Sequence, residues 1–144
     1  MGNYRKGAHT VYDIQYHLVW VTKYRYHVLQ GELAERTRDI IRQICMSRDI
    51  HILKGHVSKD HVHLWVSCPP SLSPAKVVQY LKGASSRRLQ DEFPHLKKRY
   101  WGQPIWARGY FCASVGGVTE DQIRQYIDHH TADTPDENFK VDND

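Results

Sequence analysis

Four side chains of this 144-residue chain have the types and spacing for metal-assisted nucleophilic chemistry: His61 and His63, two apart, and Tyr126 and His130, four apart. In KDHVHLWVS (residues 59–67) the apolar Val62, Leu64 and Val66 alternate with His61, His63 and Trp65. On a strand such alternation sends the two sets to opposite faces, so both imidazoles leave the side away from the core, their backbones about 6.6 Å apart. Two imidazoles at that spacing can converge on one divalent ion through bonds of about 2.1 Å. An isolated H-x-H describes an unliganded pair of exposed sheet histidines just as well. Tyr126 and His130 share one face of a helix, where a tyrosine ordinarily packs and a terminal histidine ordinarily meets the helix dipole. Together they offer a nucleophile and a third ligand, and three protein ligands with open positions describe a catalytic ion. Such an ion polarises a phosphoryl oxygen while the phenolate displaces a sugar oxygen, leaving a phosphotyrosine diester. That diester keeps much of the original bond's free energy, so the step can reverse onto a new end without ATP.

The elements that must hold these groups follow from hydrophobic periodicity. Residues 11–21 alternate, with Tyr12, Ile14, Tyr16, Leu18 and Trp20 opposed to Asp13, Gln15 and His17, which predicts a half-buried strand. After the connector KYRYH (23–27), Leu33, Ile40, Ile41, Ile44 and Cys45 have helical spacing over about 32–48. Strands at 50–57 and 61–68, linked by Ser58-Lys59-Asp60, predict an antiparallel hairpin. Ser73-Pro74 has the form of a helix start, and Val77, Val78, Leu81, Ala84, Ser85 and Leu89 make the buried stripe of a helix ending near Glu92. Residues 95–109 read as a loop and 110–115 as the last strand. After the Gly116-Gly117 turn, Thr119 and Gln122 resemble a capping box, followed by a helix to about His130. The order β-α-β-β-α-β plus a helix predicts an α+β, ferredoxin-like (split βαβ) four-stranded antiparallel sheet. Its two crossover helices share one face, and the other face is left free for a ligand beside the C-terminal catalytic helix.

Composition narrows the class. The chain is 40% hydrophobic and 25% charged, ordinary for a globular domain. No apolar run approaches the ~18–20 residues that cross a bilayer, so neither a membrane partner nor a membrane location is expected and a prokaryotic cytoplasm is the default. Cys45, Cys68 and Cys112 are odd in number and form no CxxC, against a disulfide framework. After residue 132 five acidic residues face only Lys140, so residues 1–132 hold 19 basic and 11 acidic side chains, a net of +8. We therefore read residues 1–131 as one domain and 132–144 as an acidic, disordered tail. A body of that charge suits a polyanionic partner.

Five blocks in order resemble the single-tyrosine HUH transposases of the smallest bacterial and archaeal insertion sequences, kin of the REP-associated tyrosine transposases. They are YHLVWVTKYR (16–25), KDHVHLWVS (59–67), YLKGASSRRL (80–89), IWARGYFCASVGG (105–117) and QYIDHH (125–130). The resemblance implies a homodimer that cleaves and rejoins single-stranded DNA at hairpin-bearing insertion-sequence ends through a 5′-phosphotyrosine, leaving a free 3′-hydroxyl. The tyrosine helix of one subunit commonly completes the metal site of the other in that family. By this match His61 and His63 are metal ligands, Tyr126 is the nucleophile and a divalent ion, Mg²⁺ or Mn²⁺, is the cofactor. The family often has glutamine where this chain has His130, and an all-imidazole set favours softer ions such as manganese, cobalt or zinc.

For the DNA, Lys23, Arg25, Lys82 and Arg87 are candidate phosphate contacts, with Lys76, Arg88 and 97–99 in support. Trp106, with Tyr24, Tyr100 and Trp101, is a candidate stacking surface for unpaired bases. Ordinary alternatives are a solvated face for the cations and core packing for the aromatics. His17 shares its strand face with Gln15 and suits a supporting role. Asp60 reads first as a hairpin-turn residue and second as a carboxylate that orients His61. Two other functions fit the same residues: a non-catalytic single-stranded nucleic-acid-binding module, and a metal-dependent nuclease in which water attacks.

Overall fold

The computed structural model describes residues 4–114 and 120–129. Strands β1 (Arg5–Lys6) and β2 (Val11–Tyr12) form a small ribbon. Strands β3 (Gln15–Val21), β4 (His51–Ser58), β5 (His61–Ser67) and β6 (Phe111–Ser114) form one antiparallel sheet in the order β4-β5-β3-β6. Helices α1 (Gly31–Ser47) and α2 (Pro74–Glu92) are the crossovers between β3 and β4 and between β5 and β6; α3 (Pro94–Arg99) and α4 (Glu120–His129) complete the chain. This is the split-βαβ arrangement expected from the element order.

The main core is built from the stripes read in the sequence. Leu18 and Trp20 from β3 and Val62, Leu64 and Val66 from β5 join Ile40, Ile41 and Ile44 of α1 and Val77, Leu81 and Leu89 of α2. Ser73 caps α2 by accepting from the backbone N–H of Lys76, with proline in the first turn. At Gly55 a Cβ would meet Leu64 Cδ2 at 3.0 Å, a tight contact that would press Leu64 aside by a few tenths of an ångström.

Three local expectations change. The strand expected over 11–21 is broken, because Val11 and Tyr12 pair with β1 and β3 begins only at Gln15. Within the expected loop 95–109, residues 94–99 are helical. Pro94 opens α3 and Leu96 buries itself, one apolar anchor among basic residues, too few to show a period. The sheet's second face is also not left open. α4 lies on it, with Ile123 and Ile127 packed against Val19 and Val21 in a small cluster that includes Ala107, Phe111 and Tyr126. The Gly116-Gly117 turn, the capping pair's Thr119, His130 and the tail at 132–144 lie outside the described residues.

The two clusters differ in size and should respond differently to truncation. Leu81→Ala in the main core should cost roughly 2–5 kcal/mol of global stability by urea unfolding. Ile127→Ala should lower protection of α4 amides far more than it shifts the global midpoint. Equal global losses for both would mean that the two faces form one cooperative core.

Candidate active site

The connector after β3 is folded tightly against the β4–β5 turn. Thr22 N–H donates to the Asp60 carbonyl at 2.9 Å and Leu29 N–H to the Lys59 carbonyl at 2.9 Å. Tyr24 and Arg25 take left-handed backbone angles, φ 62° and 53°, which non-glycine residues adopt only when their surroundings enforce it. The result carries the Arg25 side chain inward, beneath the turn. Asp60 is therefore no solvent-facing turn residue: it is fully buried. Its Oδ2 accepts from Arg25 Nε at 2.7 Å and its Oδ1 lies 2.8 Å from His61 Nδ1. Burial alone would raise the Asp60 pKa, but the hydrogen bond and charge of His61, then those of Arg25, hold the carboxyl below its usual range.

His61 opens β5 with no exposed surface, its Cα paired with that of Val21 on β3. Because Asp60 accepts the Nδ1 proton, His61 turns Nε2 away from the carboxylate, the orientation a carboxylate imposes on a metal-binding histidine. His63 stands two residues on, opposite Val19 on one side and His56 on the other. Its Nε2 lies 3.1 Å from His17 Nδ1, and the His17 ring stacks on Trp65 at 5.5 Å. Trp65 in turn donates from Nε1 to Gln15 Oε1 at 2.9 Å. His56 reaches this face through a β-bulge. The register shifts between Ile52 and Lys54, which turns the even-numbered residues beyond it away from the core. His56 then meets His63 edge-on, ring centroids 6.2 Å apart.

Tyr126 sits on α4 with its ring 5.7 Å from Phe111, and burial pushes its phenol up to about 12. The resting nucleophile candidate is thus protonated. His130, the expected third ligand, lies outside the described residues. Among the described residues no three histidine, cysteine or carboxylate groups assemble into a metal cage. Cys45 and Cys68 are buried thiols pushed up to about 12 and 11, and neither joins the site.

The expected DNA contacts divide. Lys23, Lys82 and Arg87 line an open groove of about 740 Å³ that also holds Lys97, Arg108 and Asp91. Lys82 Nζ donates to the carbonyls of Ala107 and Gly109, and burial lowers its pKa. Arg25 is not a surface cation, because its guanidinium is spent on Asp60 and on the Ile127 carbonyl at 2.7 Å. Trp106 is no stacking platform either: it is 3% exposed, edge-on to Trp20, and donates to Ser85 Oγ. Tyr100 is likewise buried, whereas Tyr24 and Trp101 are exposed.

The sequence pattern that defines the family described as "Transposase IS200 like" matches residues 10–130. The chain belongs to this family of transposases. It is 40% identical over 124 residues to the ISDra2 transposase TnpA of Deinococcus radiodurans, spanning 86% of this chain and 89% of that protein. The transposase for insertion sequence element IS200 of Salmonella typhimurium is 36% identical over 129 residues, 90% of this chain and 84% of its own length. A crystal structure of a candidate transposase from Deinococcus radiodurans superposes with a TM-score of 0.81 at 40% identity, over 88% of this chain and 97% of that one. A REP-associated tyrosine transposase bound to a REP hairpin shares the fold alone, at 14% identity and a TM-score of 0.54, over 89% of this chain and 69% of that one. This IS200-like transposase is accordingly a DNA-recombining enzyme, and its described helices include none long and apolar enough to cross a membrane.

His63 has a measurable signature. Burial, then the charges of His17, His56, His61 and Lys54, lower its pKa to about 3, against about 6.5 in an unfolded chain. As pH falls below about 6.5 the unfolded state takes up this proton and the folded state does not. The stability His63 contributes is therefore complete above about 6.5 and drains away towards 3. Urea unfolding at pH 7 and pH 4.5 should show a larger loss for the wild type than for His63→Asn. Equal losses would mean that the imidazole is not held neutral.

Proposed function

We propose that this transposase cuts and rejoins single-stranded DNA beside a hairpin, with Tyr126 attacking the scissile phosphate and His61 and His63 binding a divalent ion, His130 completing the set. The observation that carries this reading is the seat of α4. Its Ile123 and Ile127 pack on Val19 and Val21, the cross-strand partners of His63 and His61. Cross-strand partners share a sheet face, so the helix bearing Tyr126 lies on the histidine face of its own chain.

The donor set fits a divalent cation. His61 is oriented by a buried carboxylate, and His63 is held neutral by its burial. His63 Nε2 cannot serve His17 and an ion together, so an ion there replaces the His17 contact or takes Nδ1. Bound to these residues, Mg²⁺ or Mn²⁺ would supply Lewis-acid polarisation of a phosphoryl oxygen; imidazole donors tilt the preference towards Mn²⁺. The Tyr126 oxygen forms its bond to phosphorus as the bond to the 3′-oxygen breaks, and the phenolic proton leaves during attack. The products are a 5′-phosphotyrosine and a 3′-hydroxyl, and the reverse step joins a new end. DNA backbone runs along the groove of Lys23, Lys82, Arg87, Lys97 and Arg108, with the exposed Tyr24 and Trp101 available for unpaired bases. The working form is a homodimer in the prokaryotic cytoplasm.

Incubation with a hairpin-bearing single strand and Mn²⁺ or Mg²⁺ should yield a protein–DNA adduct that survives denaturation, and Tyr126→Phe should remove it. An undiminished adduct would displace Tyr126 as nucleophile, while a free 5′-phosphate without adduct would favour attack by water. For the groove, Arg87→Ala should weaken binding of unrelated hairpins alike and flatten the slope of log affinity against log salt by about 0.7–0.9. An unchanged slope would remove Arg87 from the DNA path.

A further inference from the structure

The Ile127 carbonyl belongs to α4, one residue after Tyr126. Arg25 Nη1 donates to it at 2.7 Å. The same guanidinium gives Nε to Asp60 Oδ2, and the other oxygen of Asp60 holds His61 Nδ1. The Arg25 side chain is 1% exposed and that of Asp60 wholly buried, so every link is shielded from water. Such links are strong when complete and costly when broken.

We infer that Arg25 is a positioning residue that couples the seating of the tyrosine helix to the orientation of the metal-binding histidine. One planar fork fixes both distances. If α4 lifts, Arg25 loses its carbonyl and Asp60 loses the partner that fixes its rotation, which loosens His61. If α4 is seated, His61 is locked. Lysine keeps the charge but is a single point donor and cannot span both acceptors in fixed geometry. The strained turn at Tyr24 and Arg25 is what aims the fork inward, and Thr22, donating its N–H to the Asp60 carbonyl and its Oγ1 to the Tyr26 carbonyl, keeps the turn and the carboxylate in register.

This inference rests on the proposed metal site, and its test uses the full chain with Mn²⁺ alone as probe. Arg25→Lys should weaken Mn²⁺ binding about 10–100-fold, the usual consequence of disturbing a ligand's support. It should also speed amide exchange across residues 123–128, without metal, by about tenfold. Asp60→Asn cannot accept the Nδ1 proton through its amide nitrogen but can still accept from Arg25. It should lose Mn²⁺ affinity to a similar degree while α4 exchange changes less than threefold. Faster α4 exchange in Arg25→Lys with Mn²⁺ affinity within twofold of wild type would reduce Arg25 to an anchor for α4 and overturn the coupling. If Arg25→Lys does not fold, Asp60→Asn decides: retained affinity overturns the inference and a tenfold loss upholds it. A wild type that takes up no Mn²⁺ overturns the metal reading as well, whereas normal wild-type uptake with an unmoved Arg25→Lys overturns this inference alone.

Discussion

A carboxylate buried away from water organises this site. The charge of Asp60 would be prohibitive in the interior without partners; Arg25 holds one oxygen and His61 the other, with His27 Nε2 3.7 Å from the first. Meeting that demand dictates much else. The connector must bend through left-handed angles to bring Arg25 beneath the turn. The hairpin turn must be tied to that connector by Thr22 and Leu29, and His61 must open β5 fully buried. A polar network this enclosed tolerates no partial version, since each missing partner strands a charge where solvent cannot reach it.

The sheet divides its labour by the pleat. One face of β3 and β5 supplies Leu18, Trp20, Val62, Leu64 and Val66 to a core closed by α1 and α2. The other presents His17, His61, His63 and Trp65 beside Val19 and Val21, on which α4 rests. The histidines proposed to hold the ion are thus anchored by a backbone that the main core has already immobilised. The bulge near Leu53 extends this division to β4: it inverts the pleat and adds His56 to the histidine face while Gly55 turns to Leu64.

Much of this was legible because strand and helix periods are local. The alternation of KDHVHLWVS assigned His61 and His63 to one face, and the stripes of α1 and α2 marked their buried residues. What escaped was non-local. Asp60 looked like a turn residue because turns favour aspartate, and its partner Arg25 is 35 residues distant in sequence. Arg25 looked like a surface cation in a basic connector, and only the left-handed turn sends it inward. Trp106 looked exposed in a run rich in glycine, proline and basic residues, yet Ser85 on α2 receives its N–H and Trp20 its ring. The bulge that delivers His56 has no signature in residue types. α3, with one apolar anchor, has no period to detect.

Under the proposed assignment of Tyr126 as nucleophile, its burial bears on how strand transfer stays controlled. A phenol pushed up to about 12 is protonated at neutral pH, so the isolated protein holds no phenolate ready to attack. Activation requires something that stabilises the oxyanion more than the apolar contacts of Phe111 disfavour it, and the natural candidates arrive with substrate: the scissile phosphate and its counter-ion. The same burial acts on the reverse step. Once the phosphodiester to tyrosine has formed, the oxygen carries no charge to be solvated, and the apolar surroundings that resisted ionisation no longer oppose it. Excluding water from that bond also slows its hydrolysis, which leaves a strand's 3′-hydroxyl as the favoured acceptor. An apolar cradle for the nucleophile therefore suits an enzyme that must rejoin what it cuts, where a solvated tyrosine would lose the intermediate to water.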